Sequence, residues 1–266
     1  MGVHDGRAGW SEMADGYDAT RAIPGGGEAA VPGLLAAHLR TLGVRRLLEV
    51  GVGTGRFAVP LAEAGIRVAG LDRSPEMLAV LRGKPGGARL PVARGDALAL
   101  PFRRAFDAVL FSHFLHLIED RGALAAELAR VLLPGALVLV LDTGFTPQPA
   151  EERAVKAVRG HLDAARAPWS RGDASRDRKY HEEILGVLGG TALPAADLGL
   201  YPGTGSIGRH LEALRARTWW TFRAYSAEAM EAAVAKARRD LLAEGADLAA
   251  EVPSPVGVRL LAGRIP

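Results

Sequence analysis

The sequence predicts an α/β protein: a mostly parallel sheet of about seven strands with helices on both faces. Three observations carry that prediction. From Arg46 to Asp142, short apolar runs alternate with helix-length amphipathic segments. The runs hold few polar residues, as strands buried on both faces do. Gly51, Gly53 and Gly55 fall between the first run and the helix after it, where the chain must turn sharply.

The elements follow in order. Residues 1–27 are polar and glycine-rich and end in Pro24-Gly25-Gly26-Gly27, which suits an arm or lid. Val31, Leu34, Leu35, His38 and Leu39 share one face of a helix from Glu28 to Leu42, closed by Gly43. Arg46 to Gly51 is the first strand, Phe57 to Ala64 a helix ended by Gly65, and Arg67 to Leu71 the second strand. Ser74 is placed to cap the next helix, with Pro75 in its first turn and Glu76 favoured there by the helix dipole. Ala88 to Arg94 and Phe106 to Phe111 read as the third and fourth strands. Gly122 to Leu133 reads as a helix stopped by Pro134-Gly135, before a fifth strand at Ala136 to Leu141. Beyond Asp142 the pattern weakens to helices at Glu151 to Ala165, Arg178 to Leu188, Leu211 to Trp219 and Ser226 to Ala243, and a last strand at Val256 to Ala262. Strands joined by helix-length segments imply right-handed crossovers and a parallel sheet.

Composition narrows the function. The 266 residues are 48% hydrophobic, enough for a sizeable core. The formal charge is only +3 with both signs spread along the chain, unlike the basic stripe of a nucleic-acid binder. No cysteine is present, which excludes disulfides, thiolate catalysis and cysteine-held zinc. Beyond the pair His113 and His116, no cluster of acids and histidines has metal-ligand spacing, so no metal is expected. The longest apolar run, Ala136 to Leu141, is far short of the roughly 20 residues that span a bilayer. With no apolar signal core at the N-terminus either, membrane insertion is not expected and the cytoplasm is the expected compartment.

The chemistry gathers at the strand ends. A glycine turn before a helix lets a ligand approach the backbone, and the helix N-terminus offers free N–H groups. In the dinucleotide pattern G-x-G-x-x-G the third glycine would stand where this chain has Arg56. Glu49 ends the strand just before the glycines; a pyrophosphate would repel it, whereas an aminoacyl ammonium would pair with it. The loop therefore favours a zwitterionic cofactor over NAD. Asp72 ends the second strand, where a carboxylate accepts both ribose hydroxyls, and Asp96 ends the third, where one accepts from the amine of adenine. Each also has a plain reading: a tight turn for the glycines, a solvated strand end for Asp72, a turn former for Asp96, a buried structural acid for Glu49.

Leu47-Leu48-Glu49-Val50-Gly51-Val52-Gly53-Thr54-Gly55-Arg56-Phe57 resembles the first motif of class I S-adenosylmethionine-dependent methyltransferases. Leu71-Asp72-Arg73-Ser74-Pro75-Glu76-Met77-Leu78 resembles their second, and Gly95-Asp96-Ala97-Leu98-Ala99-Leu100-Pro101-Phe102 their adenine-binding segment. Phe106-Asp107-Ala108-Val109-Leu110 and Leu133-Pro134-Gly135-Ala136-Leu137 are similar to the later strands, and Tyr17-Asp18-Ala19-Thr20-Arg21 to an element before the first motif. The chain resembles in particular the ubiquinone/menaquinone-biosynthesis-like small-molecule methyltransferases, well over Tyr17 to Asp142 and only generally beyond. The resemblance implies a single Rossmann-like domain: arm or lid at 1–27, cofactor core at 28–145, helical cap at 146–250 and closing strand at 251–266. It implies S-adenosylmethionine as cofactor, held by Tyr17, Arg21, Glu49, Gly51, Gly53, Gly55, Asp72, Arg73, Met77, Asp96, Ala97 and Ser112. Arg21 would bind the cofactor carboxylate from an arm folded over it.

His113 and His116 follow the fourth strand, at the edge where an acceptor should meet the methyl group, and either is a packed histidine or a general base. Trp169, Tyr180, Tyr201, Trp219, Trp220 and Phe222 are core packing or the wall of an apolar acceptor pocket. The implied reaction is in-line displacement at a sulfonium, in which alignment and exclusion of water are the main tasks and a fixed base is optional. A small-molecule acceptor is expected, since no appended binding domain and no Asn-Pro-Pro-Tyr-like motif after the fourth strand point to nucleic acid. The rivals are a non-catalytic cofactor-binding protein, an NAD-dependent oxidoreductase, and an RNA or protein methyltransferase. The acceptor, the atom methylated and the oligomeric state are not legible.

Overall fold

The computed structural model of the chain describes residues 14–143, 146, 148–162, 176–218, 222 and 225–266. Of the expected features, Trp169, Trp219, Trp220 and the stretch 10–13 lie outside the described residues, and the helix expected at Glu151 to Ala165 ends at Arg159, where Gly160 caps it. The chain divides into two compact units: Met1–Phe145 with Ala174–Leu200 and Gly257–Pro266, and Thr146–Asp173 with Tyr201–Val256.

The described part of the first unit opens with a 3-10 turn and the short helix α1 (Tyr17–Arg21), then α2 (Gly27–Thr41). Gly43, at φ +77°, ends α2 as expected: its N–H donates to Arg40 O while Val44 N–H reaches back to Leu39 O. The alternation then runs β1 (Arg46–Val50), α3 (Ala58–Glu63), β2 (Arg67–Asp72), α4 (Pro75–Gly83), β3 (Val92–Arg94), β4 (Phe106–Ser112), α5 (Arg121–Val131) and β5 (Leu132–Asp142). Ser74 caps α4, its hydroxyl accepting from Met77 N–H at 3.1 Å. The remaining pieces are α7 (Arg176–Leu188), β6 (Thr191–Ala192), β7 (Ala196–Tyr201) and β10 (Val256–Arg264).

The sheet order is β3-β2-β1-β4-β5-β10-β6, with β7 also on β10. The pairs β2–β3, β1–β2, β1–β4 and β4–β5 are parallel and β10 is antiparallel to β5, so this is the mostly parallel α/β sheet expected. Leu48, Val50, Val109, Phe111, Val138 and Val140 pack on one face with Leu124 and Leu128 of α5 and Ile184 and Leu185 of α7. The alternating residues Leu47, Val68, Ala108, Leu110, Leu139 and Leu141 are buried on the other face, so helices cover both sides. Strand order reverses between β1 and β4, since β2 and β3 lie on one side of β1 and the later strands on the other. The crevice at the carboxyl ends beside such a switch point is where ligands of this sheet type bind.

Several boundaries differ from expectation; the helix expected at Leu211 to Trp219 runs Ile207–Arg215, because Ser206 caps it by accepting from Arg209 N–H. The third strand starts at Val92 rather than Ala88, because Gly87–Arg89 coil into a 3-10 turn. The helix stops at Val131, and Pro134-Gly135 lie inside β5 rather than before it. There the register slips, Phe106 pairing Leu132 and Ala108 pairing Leu137, and Gly135 at φ +74° takes up the extra length. A proline at such a bulge forfeits no ladder bond.

The second unit contains α6 (Pro149–Arg159), α8 (Ile207–Arg215), α9 (Ala227–Ala243) and the short pair β8 (Thr204–Gly205) and β9 (Val252–Pro253). Ala154, Val158, Leu211, Leu214, Met230 and Val234 join three helices into its own core. Phe222 is fully buried in this core, and Ser226 caps α9 through Ala229 N–H at 3.1 Å.

Candidate functional site

The glycine loop is fastened from β2. Leu71 O accepts both Gly51 N–H (2.8 Å) and Val52 N–H (2.9 Å). Asp72 then clamps the loop to the next helix: Oδ2 accepts from Gly53 N–H at 2.8 Å and Oδ1 from Ser74 N–H at 2.9 Å. Burial raises the pKa of Asp72, against the lowering effect of the Ser74, Gly53 and Arg73 N–H groups. Each oxygen of a carboxylate has two acceptor positions, so Asp72 keeps capacity toward a ligand.

The three glycines do different work, all with φ between +51° and +75°. A Cβ on Gly51 would stand 2.1 Å from the Phe114 ring, and one on Gly55 would meet Leu81 and Val59 at 2.8 to 3.0 Å. Those two let protein approach protein. On Gly53 a Cβ would find nothing nearer than Gly51 O at 4.0 Å, so here the loop opens outward.

Glu49 ends β1 almost at the loop. It is 2% exposed, and its Oε2 has no hydrogen-bond partner. Its cross-strand neighbours are Gly70 and Leu110, and Val52 fills the space over Gly70. Burial above all, with the Asp72 charge adding, pushes the Glu49 carboxyl up to about 8, while Arg56 pulls it down. Arg56 is already held by Glu28 through two contacts, Nε–Oε1 at 2.7 Å and Nη2–Oε2 at 2.6 Å.

The arm lies against this loop. Asp18 accepts from Thr54 Oγ1 at 2.5 Å and pairs with Lys84. Ala14 and Met77 are buried together, with Tyr17 and Val80 packed on them. Burial raises the Tyr17 hydroxyl's pKa, against Arg21 and Arg56, which lower it. The Arg21 guanidinium stands 5.9 Å over the Tyr17 ring, and its buried Nε has no hydrogen-bond partner.

Asp96 is an exposed turn former: Oδ1 accepts from Leu98 N–H at 3.0 Å, and Oδ2 is 3.9 Å from Arg73. Ala97 beside it is buried. At the end of β4, Ser112 pairs with Leu141, and His113 takes the left-handed conformation at φ +51°, a strained one for a residue with a side chain. His113 Nε2 lies 2.8 Å from Thr143 Oγ1. His116 sits in a 3-10 turn, Leu115–Leu117. The structure thus gathers Tyr17, Arg21, Glu49, Gly51, Gly53, Asp72 and Met77 around one loop. Phe114 brings the Ser112–His113 turn against it, while Gly55 faces the packing behind.

Sequence reasoning missed three features. Asp18, Thr54 and Lys84 clasp the arm to the loop, although Asp18 and Thr54 stand inside motifs already noted. Asp142, a fourth acid at a strand end, is buried and accepts Nε and Nη2 of Arg259 at 2.8 and 2.6 Å. His181, buried in α7 with Nε2 3.0 Å from Val138 O, has its pKa lowered by burial. Among the described residues no group of acids and histidines is placed to hold a metal, and no helix is long and apolar enough to cross a membrane.

Residues 48–140 match the family model of a methyltransferase domain. The chain is similar to the demethylmenaquinone methyltransferase of Thermus thermophilus, 41% identical over 110 residues, 40% of this chain and 49% of that protein. It is similar to the enzyme of the same name from Streptomyces avermitilis, 32% identical over 141 residues, 52% of this chain and 60% of that one. The chain therefore spans about half the length of the curated relatives it matches. Two solved structures share the fold: the YcgJ protein of Bacillus subtilis (TM-score 0.52, 17% identity, 88% of this chain and 97% of that one) and the [4+2]-cyclase SpnF (TM-score 0.50, 22% identity, 87% and 79%).

Proposed function

We propose, from the match of residues 48–140 to a methyltransferase domain, that the chain is a class I methyltransferase that transfers the methyl group of S-adenosylmethionine to a small molecule. The observation that carries this reading is Glu49: a buried acid with an unpartnered oxygen, beside a loop that opens outward at Gly53. A buried acceptor without a partner is costly and calls for a donor from outside the chain. An aminoacyl ammonium is such a donor.

The other residues fit the rest of the cofactor. The buried Arg21 Nε suits its carboxylate, and the remaining acceptor positions of Asp72 suit two ribose hydroxyls. Asp96, with Arg73 3.9 Å away, suits the amine of adenine, and the family resemblance adds Met77, Ala97 and Ser112 to the cofactor's contacts. When bound, the cofactor supplies a methyl group already activated on a sulfonium. The chain's own residues then hold the acceptor in line and keep water out. Where the acceptor must lose a proton, His113 is the candidate base, held by Thr143 at the end of β4; His116 is the second. We take the compartment to be the cytoplasm.

The fold alone does not select the reaction, as the cyclase of similar fold illustrates. The deciding experiment incubates the chain with S-adenosylmethionine and a panel of acceptors, reduced demethylmenaquinone and other phenols and amines included, and follows S-adenosylhomocysteine formation. Acceptor-dependent product supports the reading. Cofactor binding with no turnover on any acceptor supports a non-catalytic binding protein instead, and turnover confined to RNA or protein overturns the small-molecule assignment.

A further inference from the structure

We propose that cofactor capture by this loop is coupled to proton release: Glu49 stands as the neutral acid in the free protein and surrenders its proton when the cofactor's ammonium arrives. The inference rests on the cofactor reading above and adds a linkage that reading does not contain. In the exchange, a carboxylic acid and an ammonium become a carboxylate–ammonium pair, and one proton leaves to solvent. No other bond changes.

The geometry makes the neutral form the resting one. Glu49 is buried at the top of β1 between strands that give it no polar partner, Gly70 on β2 and Leu110 on β4. A lone carboxylate there would be desolvated without compensation. The charged groups around it do not supply that compensation. From the end of β2 comes Asp72, a like charge that disfavours ionisation. From the loop ahead of α3 comes Arg56, the cation that favours it, but its guanidinium is engaged by Glu28 of α2 through two oxygens. The arm contributes Tyr17 and Arg21, with Arg56 and Asp72 also acting on Tyr17. Asp18 of the arm is turned to Thr54 and Lys84. Burial and Asp72 thus outweigh Arg56 and put the Glu49 carboxyl at about 8.

An entering ammonium reverses that balance, because an opposite charge a few ångströms away favours the ionised acid. In the pH range where free Glu49 is protonated and the pair is ionised, affinity then rises with pH, approaching tenfold per pH unit. A ligand with the adenosine part but no amino acid gains nothing from Glu49 and shows neither effect.

The test uses the full chain and isothermal calorimetry with S-adenosylhomocysteine and with 5′-methylthioadenosine, from pH 6.0 to 7.5, in PIPES and in imidazole, whose ionisation heats differ. The expected result is release of about one proton per S-adenosylhomocysteine, with affinity rising toward tenfold per pH unit, and a flat, proton-neutral response to 5′-methylthioadenosine. Glu49→Gln should bind S-adenosylhomocysteine with no proton release and no slope. Tight S-adenosylhomocysteine binding with buffer-independent heat would overturn the proton coupling while leaving the cofactor reading intact. Proton release with 5′-methylthioadenosine would move the proton to Asp72 and overturn the assignment to Glu49, a comparison that needs only the unmodified chain. No binding of S-adenosylhomocysteine at any pH would remove the cofactor reading itself.

Discussion

Gly53→Ala separates what the loop does for folding from what it does for binding. Gly53 sits at φ +51°, and a Cβ added there meets nothing closer than Gly51 O at 4.0 Å. Its N–H bond to Asp72 Oδ2 does not involve the side chain and survives. The folding cost is therefore the left-handed backbone alone, about 1–2 kcal/mol. At roughly 2–4 °C per kcal/mol for chains of this size, the melting temperature should drop by about 2–8 °C. The added methyl points into the space the loop leaves open, so S-adenosylhomocysteine affinity should fall at least about tenfold, equivalent to 1.4 kcal/mol; Gly53→Val should abolish binding. Gly51→Ala is the contrast. Its backbone strain is similar at φ +75°, but its Cβ would lie 2.1 Å from Phe114. Overpacking adds about 1–3 kcal/mol, giving a total of about 2–5 kcal/mol. Thermal melts rank the two variants, and calorimetry on the folded Gly53→Ala protein reads the affinity. Binding within about threefold of the unmodified chain, or a Gly51→Ala variant no less stable than Gly53→Ala, would refute the reasoning.

Three further outcomes follow from the same site. Asp72→Ala should weaken cofactor binding about 10- to 150-fold, the loss of roughly 1.5–3 kcal/mol expected for hydrogen bonds to a charged group; a change under about threefold would mean Asp72 does not hold the ribose. Glu49 should set a pH slope on stability: the folded chain keeps the proton up to about pH 8, whereas the unfolded chain loses it near the ordinary 4.5. Stability is therefore full below that lower value and is lost as pH rises through the window, by roughly 3–5 kcal/mol at about 1.4 kcal/mol per pKa unit. Glu49→Gln lacks this slope and should gain on the unmodified chain between pH 5 and 8 in denaturant titrations; parallel pH profiles would count against a buried neutral acid. Hydrogen exchange should show amides of residues 14–27 more protected with S-adenosylhomocysteine than without. Equal exchange in both states, whether slow or fast, would mean that the arm does not gate the cofactor.

What the sequence disclosed was local. The loop glycines and the acids Glu49, Asp72 and Asp96 are legible because a βα unit places its strand end, turn and helix cap within a few residues. The Ser74 cap and the Gly43 stop are legible for the same reason. Misreadings occurred where two local signals competed. Pro134-Gly135 looks like a helix stop, but it is a strand bulge, since the partner strand β4 holds the backbone on both sides of it. Ala88 looks like strand, yet Gly87 with the carbonyl of Leu81 close by favours a 3-10 turn.

Contacts between distant stretches of the chain are reached by no spacing rule. Asp18 meets Lys84 across 66 residues, and Arg259 meets Asp142 across 117. Glu49 is the instructive case. Its identity, an acid before a glycine turn, pointed to an ammonium from the sequence alone. That it stands without a partner, between Gly70 and Leu110 and with Arg56 committed to Glu28, is a property of three neighbouring elements at once. The residue type announces which ligand it suits. Only the packing determines whether the acid waits for that ligand charged or neutral, and so whether binding must move a proton.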